Sequence, residues 1–334
     1  MFSIGIIAFG LSLLVTFGVT WVLRRWSILD IPNERSFHTD PTPRGGGLGM
    51  AAGIMVASLL APDLAGPTRV VILLAGSLFG AIGLFEDVVA VPALRRLILL
   101  VGAAASCLPW LLANLNGPVA WRALVATAVV FWLVGYANAF NFMDGINGLS
   151  GGHVLVAGLA WFAIGLVRDL PWLASIGLIV AAAALGFLPH NFPRARVFLG
   201  DTGSYFLGGV LGTVAVLGIR AGSPPEAILA PMAVHVADTL TTLFRRVIRR
   251  EPWYEAHREH TYQRMTTALG GSHGSATLLV ATAIAACSAL GALSLLGDPA
   301  VRLAGDLGVL GVVALYLISP TLFERTRRRK LTVA

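Results

Sequence analysis

Five short polar segments interrupt an otherwise apolar chain, and the residues in them are those that handle phosphate and divalent metal. Asp201 lies between Gly200 and Gly203 in the run 198–204, an acid in a tight turn opening a new helix, which suits a metal ion bridging phosphates. Asn191 precedes that run. Asn138, Asn141 and Asp144 recur at i, i+3 and i+6, roughly one helical face, before Gly145 and Gly148 break the helix around Asn147. Simple capping of a helix end is the competing reading. Glu86 and Asp87 close another apolar run. Helix neighbours point about 100° apart, so the pair is no chelating face, but one can act as base while the other helps a cation. A helix C-terminus is a poor place for two negative charges, which favours function over a merely solvated end. His257, Arg258 and His260 can face a diphosphate, the two imidazoles sharing a face if the segment is helical. Zinc lacks a credible third ligand there. Segment 33–47 offers Arg35, His38 and Arg44 to an anion, among prolines that forbid a helix and glycines that admit close backbone approach. The plainer alternative is a solvated basic loop.

The elements that must position these groups are membrane helices. Hydrophobic residues make up 56% of the chain and charged ones only 12%, a balance that soluble globular domains rarely reach. Apolar runs long enough to cross a hydrocarbon core lie near 3–23, 47–62, 69–85, 97–113, 120–139, 149–167, 172–188, 204–219, 226–247, 275–296 and 303–321. The expected fold is therefore an all-α polytopic membrane bundle of 10–11 transmembrane helices, one integral membrane domain over 1–334.

Basic residues set the orientation. Arg24, Arg25, Arg95, Arg96, Arg194, Arg196, the cluster from Arg245 to Arg264 and the tail from Arg325 to Lys330 fall on one side; Arg69, Arg122, Arg168, Arg220 and Arg302 fall on the other. The first side is expected to be cytoplasmic, with the N-terminus exterior and the C-terminus inside, and all five polar segments land there. The net charge of +7 hugs membrane ends instead of forming a basic soluble domain, which argues against nucleic acid as partner. The first span is too long for a signal-peptide core and is expected to remain as an anchor. Cys107 and Cys287 sit inside apolar runs without metal-like spacing.

Hard oxygen ligands, Arg and His for phosphate, and no nucleophilic Ser-His or Cys-His pairing point to phosphoryl transfer at a membrane surface. A lipid or sugar transporter is the rival from another class, although it would place ionisable groups near mid-membrane and show repeated halves. An inactive scaffold of the same fold is the third reading.

In order and type, these motifs resemble the polyprenyl-phosphate N-acetylhexosamine-1-phosphate transferase family, glycosyltransferase family 4. It includes the enzymes that initiate enterobacterial common antigen and O-antigen synthesis and, more distantly, the muramyl-pentapeptide translocase. The resemblance runs from Asp30 to Arg264 and looks closest to the O-antigen branch acting on N-acetylated, often 6-deoxy, aminosugars. It implies transfer of a sugar 1-phosphate from a UDP-N-acetylhexosamine to a lipid phosphate such as undecaprenyl phosphate, with release of UMP and dependence on Mg2+, for which Mn2+ is the alternative; a bacterial inner membrane setting and a homodimer are further expectations. By position, Asp201 matches the magnesium ligand, and Glu86 and Asp87 match a pair that activates the lipid phosphate and assists the metal. Asp144, Asn147 and Asn191 match nucleotide contacts, and Phe198 a ring that stacks on uracil. His257, Arg258 and His260 match the diphosphate-binding motif, while Asp238 matches an acid without a derivable role. Glu86 stands where Asp is usual, one methylene longer; Asn147 stands where Asp is common, and an amide can still accept from uracil N3–H. The retained Asp87, Asp144 and Asp201 predict an active enzyme, by direct attack of the lipid phosphate or through a phosphosugar-carboxylate intermediate.

Overall fold

A computed structural model describes residues 1–32, 40–89, 91–251 and 257–333, without the side chains of 326–333. Helix α1 (Phe2–Arg25) leads into a short antiparallel ribbon, β1 (Leu29–Asp30) with β2 (Thr42–Pro43), in which Asp30 pairs with Thr42. There follow α2 (Gly47–Leu60), α3 (Gly66–Val88), α4 (Ala93–Leu111), α5 (Val119–Phe142), α6 (Leu149–Val167), α7 (Pro171–Asn191) and α8 (Gly200–Arg220). The last third holds the short α9 (Pro225–Leu229), then α10 (Ala233–Ile248), the eight-residue α11 (Thr261–Ala268), α12 (His273–Gly291) and α13 (Pro299–Val333). Among the described residues 10 helical stretches are long and apolar enough to cross a membrane, Pro225–Ile248 counting as one of them, and Gly47–Leu60 is a shorter apolar helix. The protein is an all-α polytopic membrane bundle.

Helix α8 is the hub. Within its most apolar window 83% of residues are buried, against 11% for α13, so α8 is sheathed by protein while α13 lies at the periphery. It packs on α3, α5 and α2. The contact with α3 is close because Gly83 lacks a side chain: a Cβ there would land on the Asp201 carbonyl. That approach brings the C-terminal end of α3 against the N-terminal end of α8, and the polar segments meet there.

Three boundaries differ from the sequence reading in ways that matter. Helix α5 runs through Asn138 and Asn141 to Phe142, a few residues past the expected end, so both amides project from regular helix. Helix α8 begins at Gly200, not near 204, which puts Asp201 in its first turn. Helix α4 begins at Ala93, not near 97, and takes Arg95 and Arg96 into its first turn. Cations at a helix N-terminus oppose the macrodipole, and the compensation for Arg96 is a salt bridge to Glu86 at 3.1 Å.

Candidate active site

The adjacent carboxylates at the end of α3 diverge as helical neighbours must. Asp87 reaches the start of α8, where Leu199 provides no side-chain cap. Its Oδ1 accepts from the Asp201 N–H at 2.9 Å, and its Oδ2 accepts from the Thr202 N–H at 2.8 Å and the Thr202 hydroxyl at 2.7 Å. Asp87 is thus an N-cap lent by another helix, its charge against the positive end of α8. That contact offsets the cost of a carboxylate at the end of α3. Glu86 turns to α4; its Oε1 holds Arg96, while its buried Oε2 has no hydrogen-bond partner among the described residues. Gly200 closes the junction at φ +80°, and a Cβ there would stand 3.1 Å from Asp87 Oδ2.

Arg44 joins the acids. Its Nε lies 3.0 Å from Asp87 Oδ1 and its terminal nitrogen 2.7 Å from Asp201 Oδ1. Burial would lower the Arg44 pKa, but the charges of Asp201, Asp87 and Asp30 outweigh it and raise it. Asp201 Oδ1 also accepts from the Asn141 amide at 2.8 Å, and the same amide donates to Ser204 at 2.9 Å. Asn138, one turn earlier, donates to the Val134 carbonyl and accepts from Tyr205, so it braces α5 against α8.

Asp144 sits beyond the end of α5, in a turn and not on a continued helix, and accepts from Ser150 at 2.7 Å. Burial raises its pKa to about 6 against the opposing pull of the Ser150 hydrogen bond and Arg44, with Asp201 and Asp87 adding to the rise. Asn191 fixes the turn from below: its Oδ1 accepts from Gly148 N–H at 2.6 Å and its amide donates to Val197 O at 2.9 Å. Asn147 donates to Pro193 O at 3.2 Å. Phe198 is held in line with Arg44 by an isolated parallel bridge, its carbonyl accepting from Gly45 and Gly46.

These residues enclose a polar cavity of about 270 Å³, lined by Arg44, Asn141, Asp144, Asn147, Asn191, Phe198 and Asp201. Asp30, Gln263 and His273 also line it, and the sequence reading did not single out these three. Asp30 lies just ahead of the segment 33–47 read for its basic groups, and polar residues in the first turn of a helix, as Gln263 and His273 are, carry no spacing signal of their own. Glu86, Asp87, Asn138, His257, Arg258 and His260 do not line the cavity. Arg35 and His38 lie outside the described residues.

The His segment is not helical; helix begins only at Thr261, with His260 as its N-cap. The two imidazoles nevertheless meet, stacked with centroids 4.9 Å apart. Burial, then His260 and Arg246, lower the His257 pKa to about 4, so at neutral pH this ring offers hydrogen bonds and not charge. Arg246 grips Glu259 at 2.6 Å and Glu251 at 3.1 Å, tying the segment to α10.

The structure supplies what the sequence left open at Asp238. This carboxylate is fully buried, accepting from Thr261 N–H at 2.9 Å, Tyr262 N–H at 3.2 Å and the Tyr316 hydroxyl at 2.6 Å, with His260 Nδ1 at 3.2 Å. It anchors the start of α11. Tyr262 then donates to the Phe142 carbonyl at 3.0 Å, at the foot of the Asp144 turn.

A hard divalent ion suits this donor set. Among the described residues Asp201 Oδ2 has no hydrogen bond or salt bridge and could hold such an ion, with the Arg44 guanidinium on Oδ1 competing for the same carboxylate. Asp87 is less available, since each of its oxygens is taken by two donors.

Fold and site define a multi-pass helical membrane protein with a carboxylate- and amide-lined polar cavity at one end of its bundle. A family model described as glycosyl transferase family 4 matches residues 69–219. The chain is 31% identical to the decaprenyl-phosphate N-acetylglucosaminephosphotransferase of Mycolicibacterium smegmatis, over 94% of this chain and 87% of that one. It is 30% identical to the probable undecaprenyl-phosphate N-acetylglucosaminyl 1-phosphate transferase of Bacillus subtilis, over 82% and 80%. A shorter match, 36% over 31% of this chain and 32% of the other, reaches the phospho-N-acetylmuramoyl-pentapeptide-transferase of Staphylococcus haemolyticus. The protein belongs to glycosyl transferase family 4.

Proposed function

We propose that this protein transfers an N-acetylhexosamine 1-phosphate from a UDP-sugar to undecaprenyl phosphate, releasing UMP and starting a cell-surface polysaccharide such as O-antigen. The observation that carries this is the convergence of Asn141, Asp144, Asn147, Asn191, Phe198 and Asp201 on one cavity at the membrane end of α8. The names of the relatives put N-acetylglucosamine first among candidate sugars. The cavity end also carries Arg24, Arg25, Arg95 and Arg96, so the positive-inside bias makes it the cytoplasmic face of a bacterial plasma membrane, where a nucleotide sugar is available.

In the proposed reaction an oxygen of the lipid phosphate forms a bond to the sugar-linked phosphorus, and the bridging P–O bond breaks as UMP leaves with that oxygen. Mg2+, held by Asp201, would supply charge stabilisation on the diphosphate. Asp87 and Asn141 set the Asp201 carboxylate in place. Arg44 presents positive charge to the donor, and Arg258 with the hydrogen-bonding His257 and His260 is assigned to the diphosphate on the resemblance of their motif to that of the family. Asn147 and Asn191 offer amide contacts and Phe198 a ring face to uridine. An apolar groove of about 360 Å³ between Phe85, Val89, Pro92 and Ile98, next to Glu86 in the chain, offers a prenyl chain a path to the site from the bilayer. A transporter reading is disfavoured because the candidate site residues cluster at one end of the bundle.

The test is UMP release by purified protein in detergent, given undecaprenyl phosphate, Mg2+ and a panel of UDP-N-acetylhexosamines. Release with UDP-N-acetylglucosamine is expected; silence with every donor at saturating lipid and metal sinks the proposal. The rate is expected to follow Asp144 as well. With its pKa raised to about 6, Asp144 takes up a proton as pH falls through that value, and a carboxylate that must be ionised to act loses its function there. The stability linkage has the opposite sense: between the unfolded and folded pKa values the folded chain holds an extra proton, so this contribution is present at low pH and is lost as pH rises through about 6. An acid limb near pH 6, absent from the residual activity of Asp144→Asn, is the expected profile. A flat profile down to pH 5 would remove Asp144 from the ionised machinery.

A further inference from the structure

Arg44 occupies an unusual position for a substrate-binding cation. Its guanidinium straddles two carboxylates, with Nε on Asp87 at 3.0 Å and the terminal nitrogen on Asp201 at 2.7 Å. The two acids are largely buried, at 12% and 17% exposure, while the Arg44 side chain remains 41% exposed and lines the cavity. The backbone beneath it is clamped, since Gly45 and Gly46 both donate to the Phe198 carbonyl, at 3.1 and 2.8 Å. Motion at this point therefore belongs to the side chain. The two grips are also unequal in surroundings: among the described residues Asp87 is fastened to the N-terminus of α8 by three further donors, whereas Asp201 is steadied at Oδ1 only by Asn141 besides Arg44.

We propose that Arg44 is a built-in counter-ion that a divalent metal at Asp201 displaces. Metal binding then turns the free end of the guanidinium toward the anionic half of the donor while Asp87 keeps its hold at Nε. This rests on the proposed sugar-1-phosphate transfer and deepens it. A guanidinium and a divalent cation on one carboxylate repel each other, so the protein without metal balances its acids internally, and the arrival of the metal releases a positive group for the diphosphate. Metal and donor binding become linked through one side chain. A donor that arrives after the metal meets two cations where it would otherwise meet a neutralised cluster.

The experiment is Mn2+ binding to the full-length protein in detergent without nucleotide, read by the electron paramagnetic resonance signal of free Mn2+. Wild type, Arg44→Gln, Arg44→Lys and Asp201→Asn are compared, and monodispersity and Mn2+-dependent melting temperature report folding. Without its competitor, Arg44→Gln is expected to bind Mn2+ about tenfold more tightly than wild type. Arg44→Lys, whose single amine cannot span both acids, is expected to lie between them, and Asp201→Asn to lose the site. UDP binding at saturating Mn2+ is expected to weaken in Arg44→Gln. Equal or weaker Mn2+ binding in folded Arg44→Gln overturns the proposal. Should that variant not fold, the absence of tightening in Arg44→Lys overturns it equally. These outcomes are separate from the function test: UMP release by wild type without tightening in the variants removes only the counter-ion role. Tightening without UMP release from any donor removes the transferase reading and leaves the counter-ion.

Discussion

Asp201→Asn is expected to lower UMP release by about a thousandfold, the scale on which loss of one charge-stabilising group acts in a transition state. The side chain keeps its size and its Asn141 and Ser204 surroundings, and the start of α8 stays capped because Asp87 bonds the backbone of residue 201 and not its carboxylate. The fold should therefore survive, with melting temperature near that of wild type and the defect in the chemical step. Raising Mg2+ would not restore the rate, since an amide is a poor ligand for a hard divalent ion. The check is kcat at saturating donor, lipid and metal beside a melting curve. Activity within tenfold of wild type would move the metal, or the main stabilising charge, to another residue.

This expectation could be framed from sequence because the bilayer makes sequence unusually readable. A hydrocarbon core of fixed thickness forces long apolar runs and forbids unpaired polar groups, so residues such as Asn141 and Asp201 stand out against a nearly uniform background. The expected number of helices and the grouping of polar segments at alternate helix ends both follow from that constraint. Direction was harder to read. Helix geometry gives that Glu86 and Asp87 point apart but not what each meets: one serves Arg96 on α4 and the other the backbone of α8. That division depends on how closely α3 approaches α8, which Gly83 decides through space and not through any local pattern. Likewise the imidazoles of His257 and His260 meet by stacking in a non-helical segment, where i and i+3 spacing suggested a helical face.

The far wall of the cavity was illegible for a different reason. Gln263 and His273 come from α11 and α12, remote in sequence from the motif at Asp201; Gln263 trails the His segment without a signal of its own, and His273 stands alone. Gln263 also accepts from His260 N–H at 3.2 Å in the N-terminal cap of α11, so its presence has a sufficient structural explanation when seen alone. Only the packing of α11 against α12 and α13 shows that the same residue faces the cavity.

Asp238→Ala is expected to cost about 3–5 kcal/mol, the penalty for removing one member of a buried, charge-assisted network. Asp238 accepts from Thr261 N–H, Tyr262 N–H and the Tyr316 hydroxyl, and truncation strands those donors where water does not reach. The consequence spreads along a defined route. Without its anchor the first turn of α11 loosens, Tyr262 loses its bond to the Phe142 carbonyl, and the turn carrying Asp144 loses support. Stability and catalysis should then separate in the milder variants. Tyr316→Phe removes a single donor from the far side of Asp238 and should lower stability by about 1 kcal/mol with little effect on kcat. Tyr262→Phe removes the link to the Asp144 turn and should lower kcat more than it lowers melting temperature. Melting curves and UMP release for the three variants give the answer. Equal losses of activity and stability across all of them would make Asp238 a packing residue, whereas a kcat deficit confined to Asp238 and Tyr262 variants would mark it as the residue that positions the cavity wall.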